Sequence, residues 1–87
     1  MNIVFTKLFL KYYDKRIAGN PALEKKFSVK LKLFQDNPNH PSLRLHALKG
    51  NRKDYLAYSV TGDIRVILHF IGDTAYFVII GTHSQVY

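Results

Sequence analysis

The sheet of this protein is encoded mainly in residues 60–87, which read VTGDIRVILHFIGDTAYFVIIGTHSQVY. Two strand-like runs, 64–71 and 75–80, are separated by a Gly-Asp-Thr turn, and a Thr-Gly-Asp turn precedes the first of them. Successive residues of a strand point to opposite faces of its sheet. In the first run, positions 64, 66, 68 and 70 are all apolar, which predicts a face that other elements cover.

The other face of this predicted hairpin gathers polar side chains. With the hairpin centred on Asp73, position 65 lies opposite position 81 and position 63 opposite position 83. That register places Asp63, Arg65 and His83 together at one end of the sheet, and Gly81 leaves open space beside Arg65. An acid, a guanidinium and an imidazole on an uncovered face form the most site-like feature of the sequence.

The first 36 residues predict a short strand at 3–5 followed by a helical hairpin. Thr6 is suited to cap a helix from Lys7 to about Ile17, which Ala18-Gly19 ends, and Asn20-Pro21 begins the next helix. Apolar residues recur at helical spacing in both: Phe9, Tyr13 and Ile17 in the first, and Leu23, Phe27, Leu31 and Phe34 in the second.

The middle of the chain predicts a loop and two further strands. Residues 36–42 hold two prolines and two asparagines and are read as a loop, residues 43–47 alternate as a short strand, 49–54 form a charged turn, and 55–60 form another strand. The fold class is therefore α+β, with an N-terminal strand and a two-helix hairpin on one face of a twisted antiparallel sheet of three to four strands. Residues 1–87 form a single domain.

The predicted layers assign side chains to each face of the sheet. The helices should cover Val66, Leu68, Phe70, Val78 and Ile80. The other face is left partly open, and on it we expect His69 to stack on Phe77.

The charge of the chain is strongly positive and unevenly distributed. The formal net charge is +7, and residues 1–34 hold eight Lys or Arg against two acidic residues. Such a surface suits a polyanion such as nucleic acid or an acidic protein partner, and equally a soluble lysine-rich helix surface. The sequence has no cysteine, and no apolar run reaches the roughly 18 residues that cross a bilayer. We therefore expect no membrane association and a cytoplasmic location.

The chemistry that these residues permit is limited. The four histidines lack ligand-like spacing, so we expect no metal and no other cofactor, and there is no glycine-rich phosphate loop and no cysteine nucleophile. Metal-free cleavage of RNA needs a base for the 2′-hydroxyl, a cation at the phosphate and an acid for the departing 5′-oxygen. Histidine and arginine supply these functions, so the sequence permits this reaction without requiring it.

Three segments resemble the RelE/ParE superfamily of bacterial toxins, and most closely its YafQ group. They are HALKGNRKDY at 46–55, VTGDIRVI at 60–67 and GTHSQVY at 81–87. The resemblance spans nearly the whole domain and is most specific at the C-terminal Gly-Thr-His-Ser followed by an aromatic residue. It implies a ribosome-dependent endoribonuclease that cuts translated mRNA and is silenced by a cognate antitoxin, and that contacts operator DNA only through the antitoxin complex.

The resemblance also implies roles for individual residues. His46, Asp63 and His83 match the catalytic residues of the YafQ group, with His83 as general acid and His46 as base or phosphate contact. Arg65 matches the arginine placed against the scissile phosphate. The RNA-binding residues would be Lys49, Arg52, Lys53, Tyr55, Ser59 and Tyr87.

Two departures keep alternatives open. The YafQ pattern has a third histidine where this chain has Ser59, and an aromatic residue where it has Ile64. Ser59 reaches the open face only if Thr61-Gly62-Asp63 forms a three-residue loop. The alternatives to the nuclease are a non-enzymatic ParE-like toxin that binds DNA gyrase, and a weakly active toxin that mainly binds its antitoxin.

Overall fold

The computed structural model describes residues 1–52 and 54–87 and shows helices packed on a five-stranded sheet. The strands are β1 (Asn2–Phe5), β2 (His46–Ala47), β3 (Leu56–Ser59), β4 (Ile64–Ile71) and β5 (Thr74–Thr82). The helices are α1 (Lys7–Arg16), α2 (Pro21–Asp36) and α3 (His83–Val86). The strand order is β1-β5-β4-β3-β2, with β1 parallel to β5 and the other pairs antiparallel. The predicted α+β class is confirmed, and the N-terminal strand joins the sheet as its parallel edge.

The helical hairpin begins and ends where the capping residues predict. The Thr6 side chain accepts a hydrogen bond from the backbone N–H of Phe9, and Asn20 does the same for Leu23. Gly19 between the helices has φ +86°, a left-handed conformation that glycine adopts without steric cost. These local signals set where the two helices begin and where the first one ends.

The main core lies between both helices and one face of the sheet, and Phe77 is at its centre. Phe77 is fully buried and makes edge-to-face contacts with Phe9, Phe34 and Tyr58, whose ring centroids lie 5.5, 5.8 and 5.9 Å away. Edge-to-face aromatic pairs at such distances contribute about 0.5–1.5 kcal/mol each beyond the area they bury. Val66, Leu68 and Ile80 are buried here as predicted.

A β-bulge in the pairing of β4 with β5 overturns the predicted place of one core residue. The ladder turns at Gly72-Asp73, and between Ile67 and Leu68 its register shifts, because Ile67 pairs with Ile79 whereas Leu68 pairs with Phe77. The extra residue is Val78, which is half-buried outside the main core, so its predicted place there was wrong.

The same bulge changes the predicted neighbour of His69, and Phe70 departs separately from its predicted place. Phe77 faces the helices, so His69 packs against Tyr55 and Tyr76 instead, with centroids 5.2 and 5.7 Å apart. Phe70 stacks on Phe34 at the edge of the core but remains 39% exposed, so the prediction that the helices cover it was wrong.

The strand predicted at 43–47 is mostly absent. Residues 41–43 form a 3-10 turn, and Arg44 ends it in a left-handed conformation at φ 53°, ψ 40°. Only His46 and Ala47 pair with β3. The alternating apolar pattern was misleading because Leu43 is buried from a turn and not from a strand.

The loop between β3 and β4 has the three residues that the sequence analysis required. Ser59 pairs with Arg65, and the backbone N–H of Val60 donates to the Ile64 carbonyl at 2.8 Å, which leaves residues 61–63 as the loop. Ser59 therefore lies on the same face as Arg65, and Tyr58 points into the core.

The second face of the sheet is partly covered, more than the sequence predicts. A small cluster of buried apolar side chains lies on it: Leu48, Ala57, Ile67 and Val86. Helix α3 supplies Val86, so the last residues of the chain fold back over the sheet. Among the residues that the structure describes, no helix has the length and apolar character needed to cross a membrane.

Candidate active site

A cleft of about 370 Å³ lies on the second face of the sheet, where β2, β4 and the C-terminal turn meet. Its lining consists of His46, Ala47, Leu48, Lys49, Arg65, His83 and Tyr87. Three of the four predicted catalytic residues therefore share one cleft. They come from three separate segments, so only the fold brings them together.

His46 is held in one tautomer by the backbone beside it. Its Nδ1 lies 2.8 Å from the carbonyl oxygen of Arg44. A carbonyl can only accept a hydrogen bond, so Nδ1 carries the proton. In the neutral ring Nε2 then holds the free lone pair, which is the arrangement that a general base needs. The left-handed backbone of Arg44 directs this carbonyl toward the ring.

Tyr87 stands between the two histidines. Its hydroxyl lies 3.4 Å from His46 Nε2, the nitrogen that accepts, so the phenol is the donor. On the other side its ring lies against His83, with centroids 4.4 Å apart and planes inclined by 54°. The three side chains thus form a continuous wall of the cleft.

Arg65 is placed in the cleft by the sheet. It is half-buried in the interior of β4, between Ser59 on β3 and Gly81 on β5, and the pairing with Gly81 is the one predicted. Its Nη1 donates to the carbonyl oxygen of Thr61 at 3.0 Å. A guanidinium has five N–H donors, so most remain for a ligand in the cleft.

The position of His83 depends on a short helical turn that was not predicted. The ladder ends with Ile64 opposite Thr82, and His83 begins α3 instead of continuing the strand. Gln85 Oε1 accepts from the Thr82 backbone N–H at 2.8 Å, and Arg52 Nη1 donates to the Val86 carbonyl at 2.9 Å. These contacts hold the turn, and with it His83, at the rim of the cleft.

Gly81 was expected to leave open space beside Arg65, but two side chains occupy that space. A β-carbon there would lie 2.5 Å from Arg16 Nη1 and 2.7 Å from Gln85 Oε1. Arg16 donates to the Ile80 carbonyl at 2.7 Å and stacks on Tyr12, 4.0 Å from the ring centroid. An alanine here would have to displace the ends of these two side chains from the backbone groups that they bind.

Asp63 is not where the sequence analysis placed it. It lies exposed in the three-residue loop, and its side chain does not line the cleft. The prediction failed because the strand pairing stops at Ile64 and Thr82, so no ladder position sets Asp63 opposite His83.

The predicted RNA-binding residues separate into groups. Lys49 and Tyr87 line the cleft. Ser59 is only 7% exposed and lines a neighbouring cavity. Tyr55 packs against the small apolar cluster, and Arg52 holds the C-terminal turn. Lys53 was also predicted to bind RNA, and it lies outside the described residues.

The cleft is cationic. Lys49 and Arg65 are charged at neutral pH, and none of the lining residues is acidic. Among residues 1–52 and 54–87, no group of three or more His, Cys, Asp or Glu side chains is arranged to hold a metal ion. The donor set therefore suits an anion such as a phosphodiester.

Three positioning residues were missed by the sequence analysis. Arg44 orients His46, Gln85 supports the turn that carries His83, and Arg16 binds the Ile80 carbonyl in the strand that leads into this turn. A capping-box spacing, Thr82 followed three residues later by Gln85, could have indicated the turn. Nothing in the sequence signals a left-handed arginine.

Comparison with known proteins identifies the fold. No protein-family model matches the chain, and no curated protein does. Among solved structures, a YoeB/ParE toxin from Agrobacterium tumefaciens has a TM-score of 0.78 at 16% identity, covering 95% of this chain and 99% of that one. YafQ from E. coli strain BL21(DE3) has a TM-score of 0.77 at 21% identity, covering 99% and 97%. A copper-bound mutant toxin from Helicobacter pylori has a TM-score of 0.77 at 24% identity, covering 100% and 99%.

These similarities cover nearly the whole of both chains, and their low identities establish the fold alone. They agree with the three segments that resemble the YafQ group. The chain has the fold of the YafQ and YoeB/ParE toxins.

Proposed function

We propose that this protein is the toxin of a type II toxin–antitoxin system and that it acts as a ribosome-dependent mRNA endoribonuclease. The observation that carries the proposal is that His46, Arg65 and His83 line one cationic cleft, with the free Nε2 of His46 directed toward Tyr87. The toxin fold supports the first half of the proposal. The cleft supports the second.

The proposed reaction is attack by the RNA on its own backbone. His46 Nε2 removes the proton of a 2′-hydroxyl, and the resulting oxygen attacks the adjacent phosphorus. Arg65 and Lys49 hold the charge that builds on the phosphate oxygens, where preorganised cations are most effective. The bond to the 5′-oxygen breaks, and His83 gives that oxygen its proton. The products are a 2′,3′-cyclic phosphate and a 5′-hydroxyl.

Tyr87 and Asp63 have different places in this scheme. Tyr87 contacts both histidines and keeps them apart, and its phenol is displaced from His46 Nε2 when the 2′-hydroxyl binds there. Asp63 lies outside the cleft, so we assign it no proton transfer.

The proposed partners follow from charge and from one of the similar structures. YafQ has also been solved in a complex with DinJ, at a TM-score of 0.71 and 19% identity to this chain. By analogy, a cognate antitoxin covers this protein and masks its basic surface, and operator DNA is contacted only through that complex. The lysines of both helices would lie against ribosomal RNA, where cations are attracted to phosphate. This activity takes place in the cytoplasm.

The test is primer extension on mRNA after induced expression, comparing the wild type with His83→Ala. The wild type should arrest growth and produce discrete cleavage ends, and His83→Ala should abolish both. The side chain is exposed, so its loss should change the free energy of unfolding by less than about 0.5 kcal/mol. His40→Ala, an exchange of another histidine that does not line the cleft, is the matched control and should remain toxic.

Undiminished toxicity in His83→Ala would contradict the proposal. If that variant also inhibited supercoiling by purified gyrase, the alternative of a gyrase-binding toxin would be favoured instead.

A further inference from the structure

A second, smaller cavity adjoins the candidate active site. It has a volume of about 200 Å³ and is lined by Lys30, Ser42, Arg44, Ser59, Thr61 and Gly62. Pockets for drug-sized ligands measure about 300–1,000 Å³, so this one is suited to a small group. Its lining side chains are polar or charged, which indicates a hydrophilic occupant.

Two hydrogen bonds connect the linings of the two cavities. His46, which lines the cleft, donates to the carbonyl of Arg44, which lines the second cavity. Arg65, which also lines the cleft, donates to the carbonyl of Thr61, which lines the second cavity. A flexible polymer held at Arg65 would therefore meet the second cavity within a short span of its backbone.

The charge of the second cavity favours an anion. Lys30 comes from α2 and Arg44 from the turn before β2, and none of the lining residues is acidic. Lys30 Nζ donates to the Ser42 carbonyl at 2.9 Å, which fixes the ammonium at the rim. The ion pair found among the described residues joins Lys32 to Asp36 and involves neither of these cations.

We propose that this cavity binds a phosphate of single-stranded RNA that neighbours the scissile phosphate. The assignment rests on the proposed function, because it is the cleft that determines where the RNA chain runs. Lys30 and Arg44 neutralise the phosphate, and the hydroxyl groups of the lining donate to its oxygens. The site holds the strand in register, so that one 2′-hydroxyl faces His46.

The test measures RNA binding in a His83→Ala background, so that cleavage cannot interfere. Fluorescence anisotropy with a labelled single-stranded RNA oligonucleotide gives the affinity at several salt concentrations between about 50 and 200 mM. Loss of one phosphate contact should lower the slope of log affinity against log salt by about 0.7. We expect this decrease for Lys30→Gln.

Lys32→Gln is the matched control, since it removes the same charge from the same helix outside the cavity, where the ammonium pairs with Asp36, and the assay contains no ribosomal RNA. Its slope should equal that of the parent protein. Arg44→Gln serves as a second variant, because it removes the other cation and keeps a side chain of similar length. Arg44→Gln should lower the slope by the same amount as Lys30→Gln. It leaves the Lys30 contact to Ser42 in place, so its result does not depend on whether loss of that contact loosens the turn.

Equal slopes for Lys30→Gln and Lys32→Gln would overturn the proposal. So would a Lys30→Gln variant that binds RNA normally and loses affinity for an acidic peptide of the antitoxin, since the cavity would then belong to that partner. Failure of the proposed function is seen separately, as absence of cleavage by the protein with His83 intact.

Discussion

Replacing Tyr58 by Phe tests how β3 is set in the sheet. The three-residue loop that places Ser59 on the face of Arg65 forces Tyr58 into the core, where it is 0% exposed and stacks on Phe34 at 5.1 Å. Its hydroxyl is buried without a hydrogen-bond partner among the described residues. The same register therefore organises the candidate site and creates this unpaired polar group.

The magnitude follows from that burial. An unsatisfied buried hydroxyl costs about 1–3 kcal/mol, so Tyr58→Phe should raise the free energy of unfolding by about 1 kcal/mol or more. In a domain of this size each kcal/mol corresponds to about 4–8 °C in Tm. Urea and thermal unfolding at pH 7 measure the change. Tyr76→Phe, at a half-buried position on the other face of the hairpin, is the control and should change stability by less than about 0.5 kcal/mol.

The pH dependence of stability adds a second readout. Burial raises the pKa of Tyr58 well above its ordinary value, so the folded protein keeps the phenol neutral while the unfolded chain ionises near pH 10. The free energy of unfolding is therefore unaffected by this phenol below pH 10. It falls as the pH rises from there toward the folded pKa, by up to about 1.4 kcal/mol per pH unit. Tyr58→Phe should remove this loss. A smaller loss of stability at high pH should remain in this variant, because desolvation and then Glu24 raise the pKa of Tyr13.

A Tyr58→Phe variant less stable than the wild type by more than about 0.5 kcal/mol would refute the reasoning, because the hydroxyl would then have a partner. The register of β3 would need revision, and with it the common face of Ser59 and Arg65.

Substitutions at three further positions test the supports of the site. Gly81→Ala should push Gln85 away from the backbone and lower the cleavage rate about tenfold or more, which corresponds to about 1.4 kcal/mol in the activation free energy. An unchanged rate would show that the close approach of Gln85 to Gly81 does not support the site. Arg44→Gly should preserve the Nδ1–H tautomer of His46 in nitrogen NMR spectra. Arg44→Val should disrupt it, because a β-branched residue disfavours φ 53°. Identical spectra for the two variants would show that this backbone conformation does not determine the tautomer. Ser59→Ala should retain cleavage within about tenfold, the effect of one hydrogen bond, since it lies outside the cleft; a much larger loss would place the serine in the chemistry.

Local sequence signals predicted the helices and the central strand well. Thr6, Asn20 and Gly19 each act on the backbone within one turn of the chain, so the helix ends can be predicted from the local sequence, although Thr6 also donates to the Phe77 carbonyl. β4 spans Ile64–Ile71 as predicted because alternation continues over eight residues between two turns. The cleft membership of His46, Arg65 and His83 also agrees with the three segments that resemble the YafQ group.

The remaining features depend on contacts distant in sequence. The bulge at Val78 turns Phe77 inward because the aromatic core accepts it there, and no local residue type marks this position. The turn at His83 is stabilised by Arg52, which is 34 residues from its partner Val86. Asp63 was misplaced because continuing the ladder was the simplest reading of the hairpin. The bulge, the turn at His83 and the place of Asp63 are therefore determined by the packing of these segments and not by local sequence.

In the proposed reaction, imidazole groups drive attack by the 2′-hydroxyl without a metal. The most direct measurement is mass spectrometry of the 5′ fragment after ribosome-bound mRNA is cut by purified protein, with the divalent ions of the ribosome retained and with transition metals removed by a selective chelator. The proposed chemistry predicts that this fragment ends in a 2′,3′-cyclic phosphate. A fragment ending in a 3′-hydroxyl would contradict it, because the phosphate would then have been attacked by water.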